Sequence, residues 1–298
     1  MTDDRKTRLD ALAVTLIVIC CALWGLNQVA TKVALAEIPP LMQASARSLG
    51  ATLLLLLWAR VRRIPLWRDD GTTIGGLLAG ALFAIEFGCI FIGLQFTTAS
   101  RMAVFVYLAP FVVALGMPFI SRHEKLRPLQ VVGLVAAFSG VVWAFAEGFG
   151  HPAAGARQWV GDALGMAGAV LWGLTTLTLR ATRLSTAAPE KTLLWQLMIS
   201  GIALAGASWL GGETLHGMPT SASLLPLGFQ TVIVTFASYL VWFWLIRHYP
   251  ATRLSAFTLL TPIFGLLAGV LLLGEPVTAR LVVALLAVVL GITLINRS

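Results

Sequence analysis

Long apolar runs with very few charges dominate this sequence and restrict what it can fold into. Only 11% of its 298 residues are charged, against about a quarter in ordinary soluble domains, and the mean hydropathy is +0.88. A backbone in lipid has no water to bond with, so apolar runs of about 20 residues cross a bilayer as helices. Ten such runs occur, at 11–33, 41–59, 73–96, 102–121, 128–146, 162–179, 191–210, 224–246, 254–273 and 280–295. The sequence therefore predicts an all-α integral membrane protein with ten transmembrane helices.

The chain repeats itself at about half its length. Residues 99–110 return as residues 251–262, and the tripeptide Leu-Trp-Gly at 23–25 returns at 171–173. Identical positions in the first pair of segments are Ala99/Ala251, Arg101/Arg253, Phe105/Phe257, Leu108/Leu260 and Pro110/Pro262. Five helices per copy is an odd number, so the second copy would enter the membrane from the opposite side. We therefore expect two inverted five-helix repeats, 11–146 and 161–295, around a central cavity.

Lysine and arginine are unequally divided between the two sides of the predicted membrane. Sixteen lie on the side of the N-terminus and four on the other side, with Arg47 inside the second helix. Cytoplasmic loops carry the positive excess, so we expect both termini in the cytoplasm and a location in the cytoplasmic (inner) membrane. The net charge is +8, but the basic residues are scattered between the apolar runs instead of forming one patch. The expected partner is therefore the lipid bilayer and not nucleic acid.

Sequence motifs for catalysis and metal binding are missing. The chain has no Gly-x-x-x-x-Gly-Lys phosphate loop, no His-Glu-x-x-His and no Gly-x-Ser-x-Gly. Its three cysteines, Cys20, Cys21 and Cys89, lie in apolar runs at spacings that suit neither a disulfide framework nor a metal site. We expect no cofactor and no metal, and a carrier rather than an enzyme. An intramembrane enzyme that acts on lipid and a passive channel are the alternatives.

The doubled pattern resembles a known family. Two Leu-Trp-Gly helix starts, the repeated Ala-x-Arg...Pro element, and Glu124 and Glu275 at matching positions after it look like the EamA-type drug/metabolite transporters, with bacterial aromatic amino-acid exporters as the nearest branch. The resemblance implies a small-molecule carrier whose predicted helices 1, 3, 4, 6, 8 and 9 line the cavity. It also places predicted helices 5 and 10 at the periphery, where an oligomer could form.

Polar and aromatic residues recur on single faces of the predicted helices and indicate a cavity wall. Trp24, Asn27 and Gln28 share a stripe in helix 1, and both Trp24 and Trp172 fall near the middle of the membrane. Hydrogen bonding between helices explains such stripes equally well. The candidate substrate-binding residues are Trp24, Asn27, Gln28, Glu86, Tyr107, Trp172, Thr176, Tyr239 and Trp242.

Glu86 lies deep in predicted helix 3, at a depth similar to that of Arg47 in helix 2. A charge at this depth is expensive and marks a functional candidate. Glu86 either receives a substrate cation, such as an α-ammonium group, or forms an ion pair with Arg47. Arg47, Arg101 and Lys32 lie on the side poor in positive charge, which suits the attraction of a carboxylate. For Arg101 and Lys32, extension along helix ends toward the membrane surface is an equal alternative.

The sparse charge and the aromatic walls favour a small, net-neutral, partly apolar solute. An amino acid, aromatic or otherwise neutral, meets both conditions, whereas a phosphorylated metabolite or nucleotide-sugar needs several inward-facing cations. Pro110 and Pro262, at matched positions, are predicted hinges for the two gates, because each removes a backbone hydrogen bond. The alternative is that they only bend their helices.

Overall fold

The computed structural model describes residues 9–67, 70–120, 128–150, 152, 154–249, 254 and 257–296, and all regular structure within them is helical. The α-helices are α1 Ala11–Ala34, α2 Pro40–Val61, α3 Thr73–Gly93, α4 Ala99–Val106, α5 Ala109–Ile120, α6 Pro128–Gly150, α7 Gln158–Ala181, α8 Pro189–Leu210, α9 Ser221–Gly228, α10 Tyr239–His248, α11 Leu260–Leu273 and α12 Ala279–Asn296. A 3₁₀ turn, Arg183–Thr186, follows α7, and a π-helix, Phe229–Ser238, joins α9 to α10.

Eight segments of the described chain are long and apolar enough to cross a membrane. Two of them are composite, since α4 and α5 together form Ala99–Ile120, and α9, the π-helix and most of α10 form Ser221–Leu245. The helices Leu260–Leu273 and Ala279–Leu294 are also apolar but shorter. The protein is therefore a multi-pass helical membrane protein.

Neighbouring helices in the bundle are mostly distant in sequence. Helix α3 packs against α7 and α8, α2 against α8 and the π-helix, and α1 against α11. Helix α12 packs mainly against α6, and their contact is close because Gly133 and Gly291 face each other's backbone. Small residues at these crossings allow the backbones to approach, which is how helices associate in lipid.

Two predicted helices differ from the structure at matched points. The run 102–121 was expected as one helix, but it divides into α4 and α5 at the turn Tyr107–Leu108. In the run 254–273, α11 begins only after the turn Thr258–Leu259. Pro110 and Pro262 lie in the first turn of the helix that follows each break. Proline is tolerated there because the first turn has no partner for the missing N–H.

Carboxylates from connecting segments satisfy the N-termini of distant helices. Glu275 Oε1 accepts the backbone N–H of Ala99 at 2.7 Å, and its Oε2 accepts Ser100 N–H at 2.9 Å, at the start of α4. Glu213 accepts the N–H groups of Leu41 and Met42 in α2 at 3.1 and 2.8 Å. An anion at a helix N-terminus is stabilised by free N–H groups and by the helix dipole.

A third cap lies between the end of α1 and the start of α9. Glu37 accepts a hydrogen bond from the Thr220 backbone N–H at 2.6 Å and another from its hydroxyl at 2.8 Å. These hydrogen bonds from Thr220 lower the pKa of the Glu37 carboxyl, so it is ionised at neutral pH. Carboxylate capping therefore links segments that are far apart in sequence.

Helices α1 and α11 approach each other closely at Gly25. A Cβ atom added at Gly25 would lie 2.6 Å from Gly265 N and 2.8 Å from Phe264 Cβ. A Cβ added at Gly265 would lie 2.5 Å from Ala103 Cβ in α4. Both glycines are needed because their neighbours are backbone or Cβ atoms that cannot move aside.

We expect Gly25→Leu to lower the thermal stability of the purified protein in detergent, because the added side chain overlaps the α11 backbone. Gly206→Leu is the matched control, since nothing lies within 4 Å of a Cβ added at this glycine of α8. It should melt close to the original protein. Equal melting temperatures for the two variants would contradict the close approach of α1 and α11.

Candidate functional site

Three aromatic side chains of α1 and α10 form a cluster. The Trp24 ring is edge-on to Tyr239, with centroids 6.5 Å apart, and to Trp242, with centroids 5.5 Å apart. Trp24 Nε1 donates a hydrogen bond to Ser238 Oγ at 2.8 Å. Edge-to-face contacts fix the ring orientations, and the hydrogen bond ties α1 to the end of the π-helix. The structure thus brings together three of the residues predicted to bind substrate.

A second aromatic pair joins α7 to the break between α4 and α5. Tyr107 and Trp172 are perpendicular, with ring centroids 5.7 Å apart. Tyr107 is buried, and Trp172 packs against both of the larger apolar clusters. Tyr239 packs against the first of these clusters. The two aromatic groups therefore border one continuous interior.

The predicted polar residues of α1 and α7 have different surroundings. Asn27 Oδ1 and Gln28 Oε1 are buried and accept no hydrogen bond from any described residue. The Thr176 hydroxyl donates to the Trp172 carbonyl at 3.1 Å, which satisfies it within α7. A buried acceptor without a partner costs about 1–3 kcal/mol. Asn27 and Gln28 are therefore available to a polar ligand or to water.

Glu86 and Arg47 are both buried, with 3% and 0% of their surface exposed. The ion pair considered from the sequence does not form among the described residues, because Arg47 Nε, Nη1 and Nη2 and Glu86 Oε2 have no hydrogen-bond partner. The Arg47 guanidinium instead covers the Phe87 ring, with its central carbon 3.8 Å from the ring centroid. Among the described residues, Arg47 therefore contacts an aromatic ring instead of a carboxylate.

Arg101 is held by two buried carboxylates, which sequence reasoning missed. Its Nη2 donates to Asp162 Oδ2 at 2.6 Å and its Nη1 to Glu147 Oε2 at 2.8 Å. Its Nη2 also donates to the Ala144 carbonyl at 2.6 Å. Arg101 is only 2% exposed, so it neither extends to the membrane surface nor remains free for a substrate carboxylate. The sequence placed Asp162 and Glu147 at helix ends but gave no sign that they converge.

Lys32 has backbone partners near the end of α3. Its Nζ donates to the Leu94 carbonyl at 3.4 Å and also to the Thr97 carbonyl. A cation beside the last carbonyls of a helix is favourable because it opposes the negative end of the helix dipole. Lys32 therefore has a structural explanation.

Two recesses on the surface contain none of the predicted site residues. One, of about 390 Å³, is apolar and lies between α1, α9 and α11. The other, of about 400 Å³, is lined by Lys32, Thr98 and Glu275 among others. Glu124 and Arg253, which complete the repeated pattern in sequence, lie outside the described residues.

The fold and the polar groups in its interior define a multi-pass membrane protein with a buried aromatic and charged site. The sequence pattern of the EamA-like transporter family matches residues 11–146 and 159–297. The chain belongs to this family, as its repeated motifs indicated.

Several curated bacterial proteins are similar over nearly their full length. "Uncharacterized transporter YvbV" of Bacillus subtilis (strain 168) is 29% identical over 98% of this chain and 92% of its own. "Probable amino-acid metabolite efflux pump" of Salmonella typhimurium is 27% identical over 96% and 94%, and its Escherichia coli (strain K12) namesake is 25% identical over 91% and 89%. A solved crystal structure covers 96% of this chain and 97% of its own, with a TM-score of 0.67 and 17% identity, which shows a shared fold.

We expect Asp162→Asn to lower the free energy of unfolding by about 3–5 kcal/mol, because it leaves the buried Arg101 with one carboxylate fewer. The measurement is thermal or denaturant unfolding in detergent. Asp70→Asn is the matched control. The Lys191 ammonium lies 2.7 Å from the exposed Asp70 carboxylate, and this hydrogen bond lowers the pKa of Asp70 to about 2.

The Asp70 side chain is 37% exposed, so water screens this ion pair more than the Arg101 cluster, both of whose carboxylates are buried. Asp70→Asn should therefore lose less stability than Asp162→Asn at neutral pH. Similar decreases in the free energy of unfolding of the two variants would mean that the buried Arg101 cluster stabilises the protein no more than the Asp70–Lys191 pair.

Proposed function

We propose that this protein carries a small molecule across the cytoplasmic membrane by alternating access, with the aromatic and polar interior as its substrate site. The observation that carries this proposal is the Trp24–Tyr239–Trp242 cluster in a member of a transporter family. Rings from α1 and α10 can close around a solute and still present a polar edge to it. Tyr107, Trp172 and Thr176 complete the wall from the side of α7.

The substrate that suits this interior is an amino acid, aromatic or otherwise neutral, and the proposed direction is export. Glu86, buried and with one unpartnered oxygen, would receive the α-ammonium group. Asn27 and Gln28 supply further acceptors. The relatives named as probable amino-acid metabolite efflux pumps support this choice of substrate class.

Other substrates and other activities are weaker alternatives. A nucleotide-sugar or sugar phosphate carries two negative charges and calls for several cations, whereas Arg101 is already held by Asp162 and Glu147. A drug-like cation would use the aromatic wall and Glu86 alone. An intramembrane enzyme is a remote alternative, and no group of metal-binding side chains occurs in the described part of the chain.

The proposed architecture is ten membrane-spanning helices in two inverted repeats, 11–146 and 161–295, with both termini in the cytoplasm. The two shorter apolar helices, α11 and α12, would be the ninth and tenth spans. Apolar side chains exposed on α6 and α12, such as Phe138, Trp143 and Leu286, would face lipid or a second copy of the chain.

The breaks that precede Pro110 and Pro262 are the proposed hinges. Each leaves two residues outside a regular helix, Tyr107 and Leu108 in one repeat and Thr258 and Leu259 in the other. Because the repeats are inverted, one break would serve the outer gate and the other the inner gate. A few residues at helix ends are enough to absorb such a movement.

We expect Trp24→Ala, Trp172→Ala and Trp242→Ala each to weaken substrate binding by about two- to tenfold. An aromatic contact is worth about 0.5–1.5 kcal/mol, and about 1.4 kcal/mol is a tenfold change. The assay is amino-acid counterflow in proteoliposomes containing the purified protein. Trp209→Ala is the matched control, because Trp209 in α8 is 80% exposed, and it should transport normally.

Normal transport by all three variants of the cluster would refute this site. Failure of the unmodified protein to transport any of a panel of amino acids, while it transports sugar phosphates or nucleotide-sugars, would favour the alternative substrate class.

We expect Pro110→Ala and Pro262→Ala to shift the protein toward opposite facing states, because each substitution allows a more continuous helix at one gate. The readout is labelling of Trp24→Cys and Tyr239→Cys from each side of sealed vesicles, after Cys20, Cys21 and Cys89 have been replaced. Pro118→Ala, inside α5 and away from the break, is the control. Unshifted labelling in both variants with normal transport would make the two prolines architectural.

A further inference from the structure

Arg47 is a fully buried cation that no anion among the described residues contacts. Its exposed fraction is 0%, and none of its three guanidinium nitrogens has a hydrogen-bond partner among the described residues. Arg101 is equally buried, but it has Asp162 and Glu147. The fold therefore satisfies one buried arginine and leaves the other unsatisfied.

Aromatic contacts do not explain the burial of Arg47. Its central carbon is 3.8 Å from the Phe87 centroid and 5.2 Å from that of Phe91. A desolvated cation–π contact is worth about 2 kcal/mol, whereas withdrawing an ion from water costs several kcal/mol even after relaxation. The remaining cost is met when an anion or water reaches the guanidinium.

The contact with Phe87 leaves the hydrogen-bond donors of Arg47 unused. The Arg47 central carbon lies over the Phe87 ring, 3.8 Å from its centroid, and none of the guanidinium nitrogens has a hydrogen-bond partner among the described residues. The N–H groups of a guanidinium lie along the edges of its plane, in the fork arrangement that matches both oxygens of a carboxylate. The ring therefore holds Arg47 in place without using its hydrogen-bond donors.

Two further groups near Arg47 limit the class of ligand. Glu86 directly precedes Phe87 in α3, and Tyr239 packs against the apolar cluster that contains Phe87 and Phe91. Tyr239 is also in ring contact with Trp24. One unpaired cation and one carboxylate, not in contact with each other, complement a ligand that carries one charge of each sign. A dianion would be repelled by Glu86, and a simple amine would leave Arg47 unpaired.

We propose that Arg47 binds the carboxylate of a zwitterionic amino acid and thereby selects amino acids over the corresponding amines and amides. This inference rests on the proposed carrier function, in which Glu86 receives the ammonium group. The side chain of the same ligand then lies toward Tyr239 and the rings around it. Arg47 is thus a specificity-determining residue that the aromatic stripes did not reveal.

The test compares three ligands that differ in one charged group. Phenylalanine carries both charges, phenylalaninamide lacks the carboxylate, and N-acetylphenylalanine lacks the ammonium group. Binding to the purified full chain is followed by the quenching of intrinsic tryptophan fluorescence, and counterflow of phenylalanine in proteoliposomes establishes transport. The original protein should bind phenylalanine at least about tenfold more tightly than either analogue, because each charged contact is worth about 1.5–3 kcal/mol.

Substitutions should remove the two preferences separately. In Arg47→Gln, phenylalanine and phenylalaninamide should bind within about twofold of each other, while the preference over N-acetylphenylalanine is kept. In Glu86→Gln, phenylalanine and N-acetylphenylalanine should bind within about twofold of each other, while the preference over phenylalaninamide is kept. Arg60→Gln is the matched control, because Arg60 lies on the same helix and is exposed, and it should keep both preferences.

The outcomes separate this inference from the proposed function. If the original protein transports phenylalanine but binds its amide equally well, the carboxylate subsite is wrong and the carrier function stands. If Arg47→Gln still prefers phenylalanine over phenylalaninamide as strongly as the original protein does, the carboxylate subsite is wrong as well. If Arg47→Gln does not fold, the comparison in the original protein decides, together with Arg47→Lys, which should keep a weaker preference. Absence of any amino-acid transport by the original protein refutes the proposed function itself.

Discussion

Lipid offers no hydrogen-bond partner, so every polar group inside this protein must find one within the protein or be left for a ligand or water. The described chain meets this requirement with helices for its backbone and with carboxylates for helix ends. Glu275 caps α4, Glu213 caps α2 and Glu37 meets the start of α9. Each of these contacts joins segments that are more than 170 residues apart. The same bonds that satisfy helix termini therefore hold the bundle in its order.

Some buried polar side chains, in contrast, have atoms without a hydrogen-bond partner among the described residues. Arg47, Glu86, Asn27 and Gln28 each have a buried polar atom without a partner in the described structure. The contrast between Arg101, which has two carboxylate partners, and Arg47, which has none among the described residues, is the clearest case. A stable protein retains such groups when something else satisfies them. This is the physical basis for locating the proposed substrate site near α1, α2, α3 and α10.

The helix breaks connect the proposed binding residues to the elements proposed to move. Tyr107 lies in the first break and contacts Trp172, so the residue that interrupts the helix also belongs to the proposed wall. The π-helix Phe229–Ser238 ends at Ser238, the partner of Trp24. The break at Tyr107–Leu108 and the end of the π-helix are therefore in direct contact with aromatic residues of the proposed site. In the proposed function, a solute that binds among these rings changes the conformation of the elements proposed to control access.

The sequence by itself determined the membrane environment, the positions of the first eight spans and the family. Apolar run length and the repeated Ala-x-Arg...Pro element are local properties that are readable without a fold. It also selected Trp24, Tyr239 and Trp242, because polar-aromatic stripes follow helical periodicity. Only the tertiary structure decided the partners of the charges. Whether Arg47 meets Glu86 or Phe87, and whether Arg101 meets Asp162, depends on how α2, α3, α4 and α7 pack, and helical periodicity contains no information about helix neighbours.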